Sequence, residues 1–206
     1  MATFDALFVT PLLRANLGAR LVPELEAASL LIAAEDRAGQ RWAKAHGYKG
    51  YTSYASLDDL PLRAPVFADL VKRIDREVKL FARHAQFETG RRRLALDSLW
   101  VNVMEKDAIH TAHIHPHAVI SGTFYVAVPP GSGAIRFEDP RLSLMMAAPP
   151  RKPAARLENR SFVDIQPRPG MLLLWESWLR HGVQPNQMRG GRHGRRISVS
   201  FNYRLD

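Results

Sequence analysis

The spacing of apolar residues changes once along the chain, from helical in the first 90 residues to strand-like afterwards. Phe4–Val9 predicts a short strand, stopped by Thr10-Pro11 because proline cannot donate to a ladder. From Pro23 the pattern is helical. Proline suits a first helical turn, Glu24 and Glu26 favour its positive end, and Ala and Leu dominate to about Ala45. Gly47 and Gly50 close that helix, and Gly47–Leu60 reads as a loop rich in Tyr and Ser. A second helix starts at Pro65, with Phe67, Leu70, Val71, Ile74, Val78 and Phe81 on one face.

After Gly90, Leu94, Leu96, Trp100, Asn102 and Met104 alternate with Ala95, Asp97, Leu99, Val101 and Val103. Both sets are largely apolar, which predicts a strand covered on both faces. Further strands are expected at Val119–Val128, Ala134–Glu138, Ser161–Gln166, Met171–Trp175 and Arg196–Leu205. Pro129-Pro130-Gly131, Asp139-Pro140, Pro167-Arg168-Pro169-Gly170 and Gly190-Gly191 supply the turns between them. Helices first and strands afterwards predict a mainly β, α+β protein, with helices packed on one face of an antiparallel sandwich or barrel. The expected organisation is one domain over 1–206, with supporting elements in 1–90 and the β core in 91–206.

Composition narrows the class. The chain has 206 residues, 46% hydrophobic and 24% charged, enough to bury a core and too little for more than one or two domains of about 150 residues. The longest apolar stretch, Ala27–Ala34, falls far short of the roughly 20 residues that span a bilayer, so no membrane role is expected. No secretory signal is visible and there is no cysteine, which excludes a disulfide scaffold and points to the cytoplasm. The net charge is +9, concentrated between Arg151 and Arg196. That basic stretch reads as a solvated loop region, with nucleic acid as a less favoured partner.

Five histidines carry the candidate chemistry: His110, His113, His115, His117 and His181. Residues two apart on a strand share a face, so His113 and His115 can converge on one metal ion, and imidazole suits Fe, Zn, Ni and Cu. His181, which follows the apolar run Leu172–Trp175, is the leading third ligand. His110 and His117 read as exposed loop residues ahead of a supporting or substrate-contacting role, and Trp175 and Trp178 as core ahead of cavity walls. On the last strand Arg196, Ser198, Ser200 and Asn202 share one face, opposite Ile197, Val199, Phe201 and Tyr203. Ser121, Thr123 and Tyr125 likewise align opposite Ile120, Gly122, Phe124 and Val126. An arginine grips a carboxylate through two parallel hydrogen bonds, and a serine two residues on adds a third. Two polar faces beside a histidine cluster point to a lined pocket.

The order His113-Ile114-His115, Ser121-Gly122-Thr123-Phe124-Tyr125, Pro169-Gly170, His181 and Arg196-Ile197-Ser198 resembles 2-oxoglutarate/Fe(II)-dependent dioxygenases of prolyl-hydroxylase type. More closely, it is similar to a group of uncharacterised bacterial oxygenases of comparable length. Leu7–Pro11, Trp100–Asn102, Phe137–Arg141 and Ser177-Trp178-Leu179 extend the likeness over most of the chain, with the motifs between Trp100 and Asn202. The resemblance implies a double-stranded β-helix, a jelly-roll or cupin-like barrel. It also implies Fe(II) and 2-oxoglutarate as cofactor and cosubstrate, and hydroxylation of a substrate with release of succinate and CO₂. Carried across residue by residue, it makes His113 and His181 metal ligands. Arg196, Ser198 and Tyr125 then hold the far carboxylate of 2-oxoglutarate.

The wider dioxygenases usually have His-x-Asp/Glu where this chain, like the closer group, has a histidine pair followed by proline; His115 in the carboxylate's place gives the metal centre one more unit of positive charge and a three-histidine set that also suits Zn, Ni or Cu. Glu138 or Asp139 is a lesser candidate for a carboxylate ligand. Two rival readings remain: a cupin-like metal enzyme without 2-oxoglutarate, and a nucleic-acid-binding module built on the basic tract Arg189–Arg196. Leu142–Asn159 is a candidate lid, the primary substrate is unassigned, and a homodimer is the base expectation.

Overall fold

Proline and aspartate punctuate the N-terminal half. The computed structural model describes residues 1–188 and 194–206. The first strand, β1, is Leu12–Asn16 and follows Pro11; Phe4–Val9 forms no strand, and its apolar side chains are exposed. Pairing starts only beyond the residue that lacks an N–H. The single helix expected from Pro23 to Ala45 is two: α1 (Val22–Glu35) and α2 (Arg37–Ala45). Asp36 breaks them apart in a non-helical conformation (φ −74°, ψ 86°) and caps α2 by accepting from Gly39 N. The expected loop Gly47–Leu60 contains a short strand, β2 (Gly50–Thr52), and leads into α3 (Leu60–Arg63). Helix α4 (Pro65–His84) runs as its periodicity predicts, burying Phe67, Leu70, Ile74, Val78 and Phe81.

The remaining strands are β3 (Leu94–Met104), β4 (His110–His113), β5 (Ile120–Ala127), β6 (Ile135–Glu138), β7 (Phe162–Ile165), β8 (Met171–Glu176), β9 (His181–Val183) and β10 (Arg196–Leu205). They pair antiparallel into a major sheet, β1-β8-β5-β10-β3-β2, and a minor sheet, β4-β9-β6-β7. The N-terminal segment therefore supplies both edges of the major sheet as well as helices.

Alternation along the strands divides the major sheet cleanly. Its outer face, with Val101, Val103, Phe124, Leu172, Leu174, Val199 and Phe201, packs on Leu25 of α1 and Phe67, Leu70 and Ile74 of α4. Tyr203 Oη donates to Asp75 Oδ1 at 2.6 Å and ties β10 to α4. Gly122 sits where Phe201 crosses β5; a Cβ there would lie 2.4 Å from the ring, so any side chain would force the two strands apart. The inner face carries Tyr125, Leu173 and Trp175 toward Ile135, Phe137 and Ile165 of the minor sheet.

One face assignment differs from the simple alternation. Leu94 and Leu96 pack with the outer core beside Leu99 and Val101, whereas Trp100 and Asn102 line the interior. The β3–β10 register shifts between Asn202 and Tyr203, where Asn202 faces Ser98 and Tyr203 faces Leu96. One extra residue at this bulge swaps the faces of the strand. Among the described residues no helix is long and apolar enough to cross a membrane.

Candidate metal and cosubstrate site

The two sheets enclose a cavity of about 1050 Å³, lined by His110, His113, His115 and His181 and by the inward face of β10. His113 closes β4 and lies directly opposite His181, the first residue of β9. His115 lies two residues past the end of β4, so a shared strand face is not what joins it to His113. Convergence comes from the turn at Pro116-His117, anchored by His115 N donating to Ser177 O at 3.0 Å. One ring nitrogen from each of His113, His115 and His181 lies within 4.8 Å of the others.

The tautomers follow from the partners. Nδ1 of His113 is 2.7 Å from Thr111 O and that of His181 is 2.8 Å from Leu179 O. Nδ1 of His115 is 2.6 Å from Asn202 Oδ1, whose amide orientation is set by Asn202 Nδ2 donating to Ser98 Oγ at 3.0 Å. Ser121 Oγ also donates to that carbonyl oxygen, at 2.8 Å. A carbonyl oxygen only accepts, so all three Nδ1 atoms carry a proton, which leaves Nε2 as the metal-binding atom of each ring, and none of the three Nε2 atoms has a hydrogen-bond partner among the described residues. Burial pushes the His181 pKa down to about 3, with the neighbouring His113 adding to the effect. Burial also lowers that of His115, against the opposing Asn202 bond. Three imidazoles with convergent ring nitrogens, oriented by their Nδ1–H bonds, fit a divalent transition metal.

The other end of β10 meets the opposite requirement. Arg196 is 2% exposed and makes no ion pair among the described residues. Its Nη1 contacts Met104 Sδ at 3.1 Å, a weak acceptor, its guanidinium lies over the Tyr125 ring at 5.1 Å, and its Nε has no partner. Among the described residues the Tyr125 hydroxyl and Trp175 Nε1 are likewise buried without hydrogen-bond partners, and both residues line the cavity. A buried guanidinium without a carboxylate is costly, so this end fits an anionic group from outside the chain. Ser198 is buried on the same face of β10.

Glu138 and Asp139 stand apart from the triad. Glu138 pairs with Arg180 at 3.0 Å and Asp139 with Arg141 at 2.8 Å, so both carboxylates are engaged elsewhere. The segment expected to act as a lid, 142–159, carries two short 3₁₀ turns and exposed Leu144 and Met146, and none of it lines the cavity. Most of the basic tract, residues 189–193, lies outside the described residues.

His117 is exposed at the rim, but His110 is not a loop residue: it opens β4, and its Nε2 bonds the Tyr48 hydroxyl at 2.7 Å. Sequence alone gives no sign of Tyr48 or of the tie between Asn202 and His115, and it ranks core above cavity wall for Trp175. Trp175 packs edge-on to His181 at 4.6 Å, yet β8 is apolar on both faces, so alternation there gave no clue to a cavity wall. Asn202 was placed on the right face without its tie to His115. Tyr48 reaches the cavity from a loop and carries no local signal. Trp178, by contrast, is a surface residue whose Nε1 donates to Glu176.

Several solved structures share this fold. HygX from Streptomyces hygroscopicus, crystallised with nickel and 2-oxoglutarate, superposes with a TM-score of 0.61 at 18% identity, covering 94% of this chain and 82% of that one. A Pseudomonas putida prolyl-4-hydroxylase gives 0.58 at 15% identity over 97% and 95% of the two chains. AviO1 from Streptomyces viridochromogenes Tue57 gives 0.58 at 15% over 99% and 96%. At these identities the likeness establishes the fold, a double-stranded β-helix. No curated protein matches the chain in sequence. The family model described as "Putative 2OG-Fe(II) oxygenase" matches residues 98–202, the stretch that holds all three histidines, Tyr125, Arg196 and Asn202. With more than half its length matched, and with donor sets suited to a divalent metal and to a carboxylate, the chain belongs to the 2OG-Fe(II) oxygenase family.

Proposed function

We propose that this oxygenase binds Fe(II) through His113, His115 and His181, and binds the distal carboxylate of 2-oxoglutarate through Arg196, assisted by Tyr125 and Ser198. The observation that carries the reading is the fully buried, unpaired guanidinium sharing one cavity with three convergent histidines. When bound, Fe(II) and 2-oxoglutarate supply the oxidising power: O₂ is consumed, the cosubstrate leaves as succinate and CO₂, and an oxygen atom passes to the substrate.

The chain's own residues do the rest. Thr111 O, Leu179 O and Asn202 Oδ1 hold protons on the three Nδ1 atoms, so the facing lone pairs stay available. Arg196 fixes one end of the cosubstrate with a charge-assisted bidentate contact, and the Tyr125 hydroxyl adds a donor that has no other partner. Ile135, Trp175 and Val183 wall the cavity and exclude water from the reacting centre. The outcome on the substrate is hydroxylation. The cysteine-free composition supports a cytoplasmic location.

Calorimetric titration of the Ni(II)-loaded protein with 2-oxoglutarate tests the assignment. Arg196→Ala is expected to weaken binding roughly 100-fold and Tyr125→Phe roughly tenfold, the range for hydrogen bonds to a charged group. Unchanged affinity in Arg196→Ala would place the cosubstrate elsewhere and favour a metal enzyme that does not use it.

A further inference from the structure

Across the floor of the cavity, side chains from four strands form one directional hydrogen-bond ladder. Thr52 Oγ1 of β2 donates to Asn102 Oδ1 of β3 at 2.9 Å, and Asn102 Nδ2 donates to Ser200 Oγ of β10 at 3.2 Å. Ser200 Oγ in turn donates to Thr123 Oγ1 of β5 at 3.3 Å. The backbone N–H of Tyr54 feeds the first member, donating to Thr52 Oγ1 at 3.3 Å. All four side chains line the cavity. A hydroxyl has one proton to give, and Thr52 and Ser200 have spent theirs inside the ladder. Thr123 is the last member: its oxygen accepts, and among the described residues its own proton has no acceptor. Thr123 is 6% exposed and faces the cavity, so an acceptor for that proton has to enter there.

Strand register fixes where this donor stands. β5 and β10 pair Ser121 with Asn202, Thr123 with Ser200 and Tyr125 with Ser198. The first rung supports His115, whose Nδ1 is 2.6 Å from Asn202 Oδ1 and 2.8 Å from Ser121 Oγ. The third lies beside Arg196, whose guanidinium is 5.1 Å from the Tyr125 ring. Alternate residues of a strand are about 7 Å apart, so Thr123 stands midway, one step from each end.

Built on the cosubstrate reading above, 2-oxoglutarate reaches from the metal position to Arg196 and passes over the middle rung. Its far carboxylate takes the donors of Arg196, Tyr125 and Ser198, and its methylene groups accept nothing. The remaining acceptors are at the metal end. There the keto oxygen and one carboxylate oxygen are the chelating atoms, which leaves the second oxygen of that carboxylate in need of a donor. We propose that the Thr123 hydroxyl donates to this oxygen. Thr123 is thus a cosubstrate-binding residue at the end opposite Arg196, in a position to which the family resemblance gives no role.

Anaerobic Fe(II) protein saturated with 2-oxoglutarate, followed by its weak visible charge-transfer band, tests this contact. A hydrogen bond to the metal-side carboxylate draws electron density from the keto acid and lowers the energy of the band. Thr123→Val is expected to move the band to shorter wavelength and to weaken 2-oxoglutarate binding roughly tenfold, the order for one hydrogen bond to a charged acceptor. Tyr125→Phe, which acts at the far carboxylate, should weaken binding without moving the band. Thr123→Ser keeps the hydroxyl and should match the wild type in both respects. Unaltered Fe(II) affinity shows that Thr123→Val folds, and Thr123→Ala takes its place if it does not. Unchanged 2-oxoglutarate affinity, or weaker binding with an unmoved band, overturns the assignment. So does a band that moves equally in Tyr125→Phe, or a Thr123→Ser protein that behaves like Thr123→Val. A wild-type protein that gives no band with 2-oxoglutarate brings down the cosubstrate reading itself.

Discussion

At the scale of single residues, the working part of the site is a set of proton positions. Each candidate ligand is a histidine whose second nitrogen is already occupied, and in two cases the acceptor is the backbone carbonyl two residues earlier. His115 differs, since its acceptor is the side chain of Asn202, 87 residues away in sequence. Removing that acceptor leaves Ser121 Oγ, at 2.8 Å, as the remaining neighbour of Nδ1. Asn202→Ala is therefore expected to lower Ni(II) affinity roughly 10- to 100-fold, while Asn202→Asp, which keeps an acceptor in place, retains most of it. Competition titration against a chelator distinguishes the two. Equal affinity in all three proteins would mean that the ring is held by packing alone.

Legibility at this scale followed the nature of the signal. The family resemblance singles out His113, His115, His181, Arg196, Ser198 and Tyr125, and strand alternation independently marks Arg196, Ser198 and Tyr125, whereas His115 lies beyond β4 and the alternation that would pair it with His113 does not hold. The structure brings all six to one cavity. Asn202 and Tyr48 act through partners remote in sequence, 87 and 62 residues apart respectively, and no local pattern encodes such pairs. Core outranks cavity wall for Trp175 because its strand is apolar on both faces, so alternation does not reveal that one face meets a cavity.

At the scale of elements, the break between α1 and α2 illustrates how one side chain overrides a continuous helical pattern. Asp36 accepts from Gly39 N at 3.0 Å, from Tyr51 Oη at 2.8 Å and from Ser56 Oγ. These contacts join α2 to β2 and its following turn, next to the rim residues Tyr48 and Lys49. Burial alone would raise the Asp36 pKa, but the hydrogen bonds from Gly39, Ser56 and Tyr51 outweigh it and hold the carboxyl below the usual aspartate range. A folded-state pKa below the unfolded one means stability that is fully present above about pH 4 and is lost as pH falls through the folded value. Asp36→Ala should lower stability by about 1–2 kcal/mol at neutral pH, and the gap to wild type should narrow as the solution is acidified below that point. Denaturant unfolding at several pH values checks this; a gap independent of pH would assign the effect to helix breaking alone. The pattern of apolar residues had no means of marking this boundary, because both helices continue the same Ala-rich run. Helix α4 was legible because it buries a long face with one unbroken period, and strands β3, β5, β8 and β10 because they are largely apolar runs bounded by turns.

At the scale of the whole molecule, the helices, the major sheet and the minor sheet divide the work. Helices α1 and α4 cover the outer face of the major sheet with a continuous apolar core, which leaves its inner face free to be polar. That polar face holds Asn202 at the histidine end and Arg196 at the other, while the minor sheet contributes His113 and His181 directly opposite each other. The spacing between a metal and a distal carboxylate is thus set by strand length and register.

The account rests on that joint occupancy, and anaerobic titration with optical detection tests it most directly. Metal-free protein is given Fe(II) and then 2-oxoglutarate, and the visible spectrum is followed for a weak charge-transfer band. The expected result is a band that needs both additions and disappears in His181→Ala and in Arg196→Ala. Tight metal binding with no band, or a band that survives loss of Arg196, would contradict the assignment of these residues to one shared site.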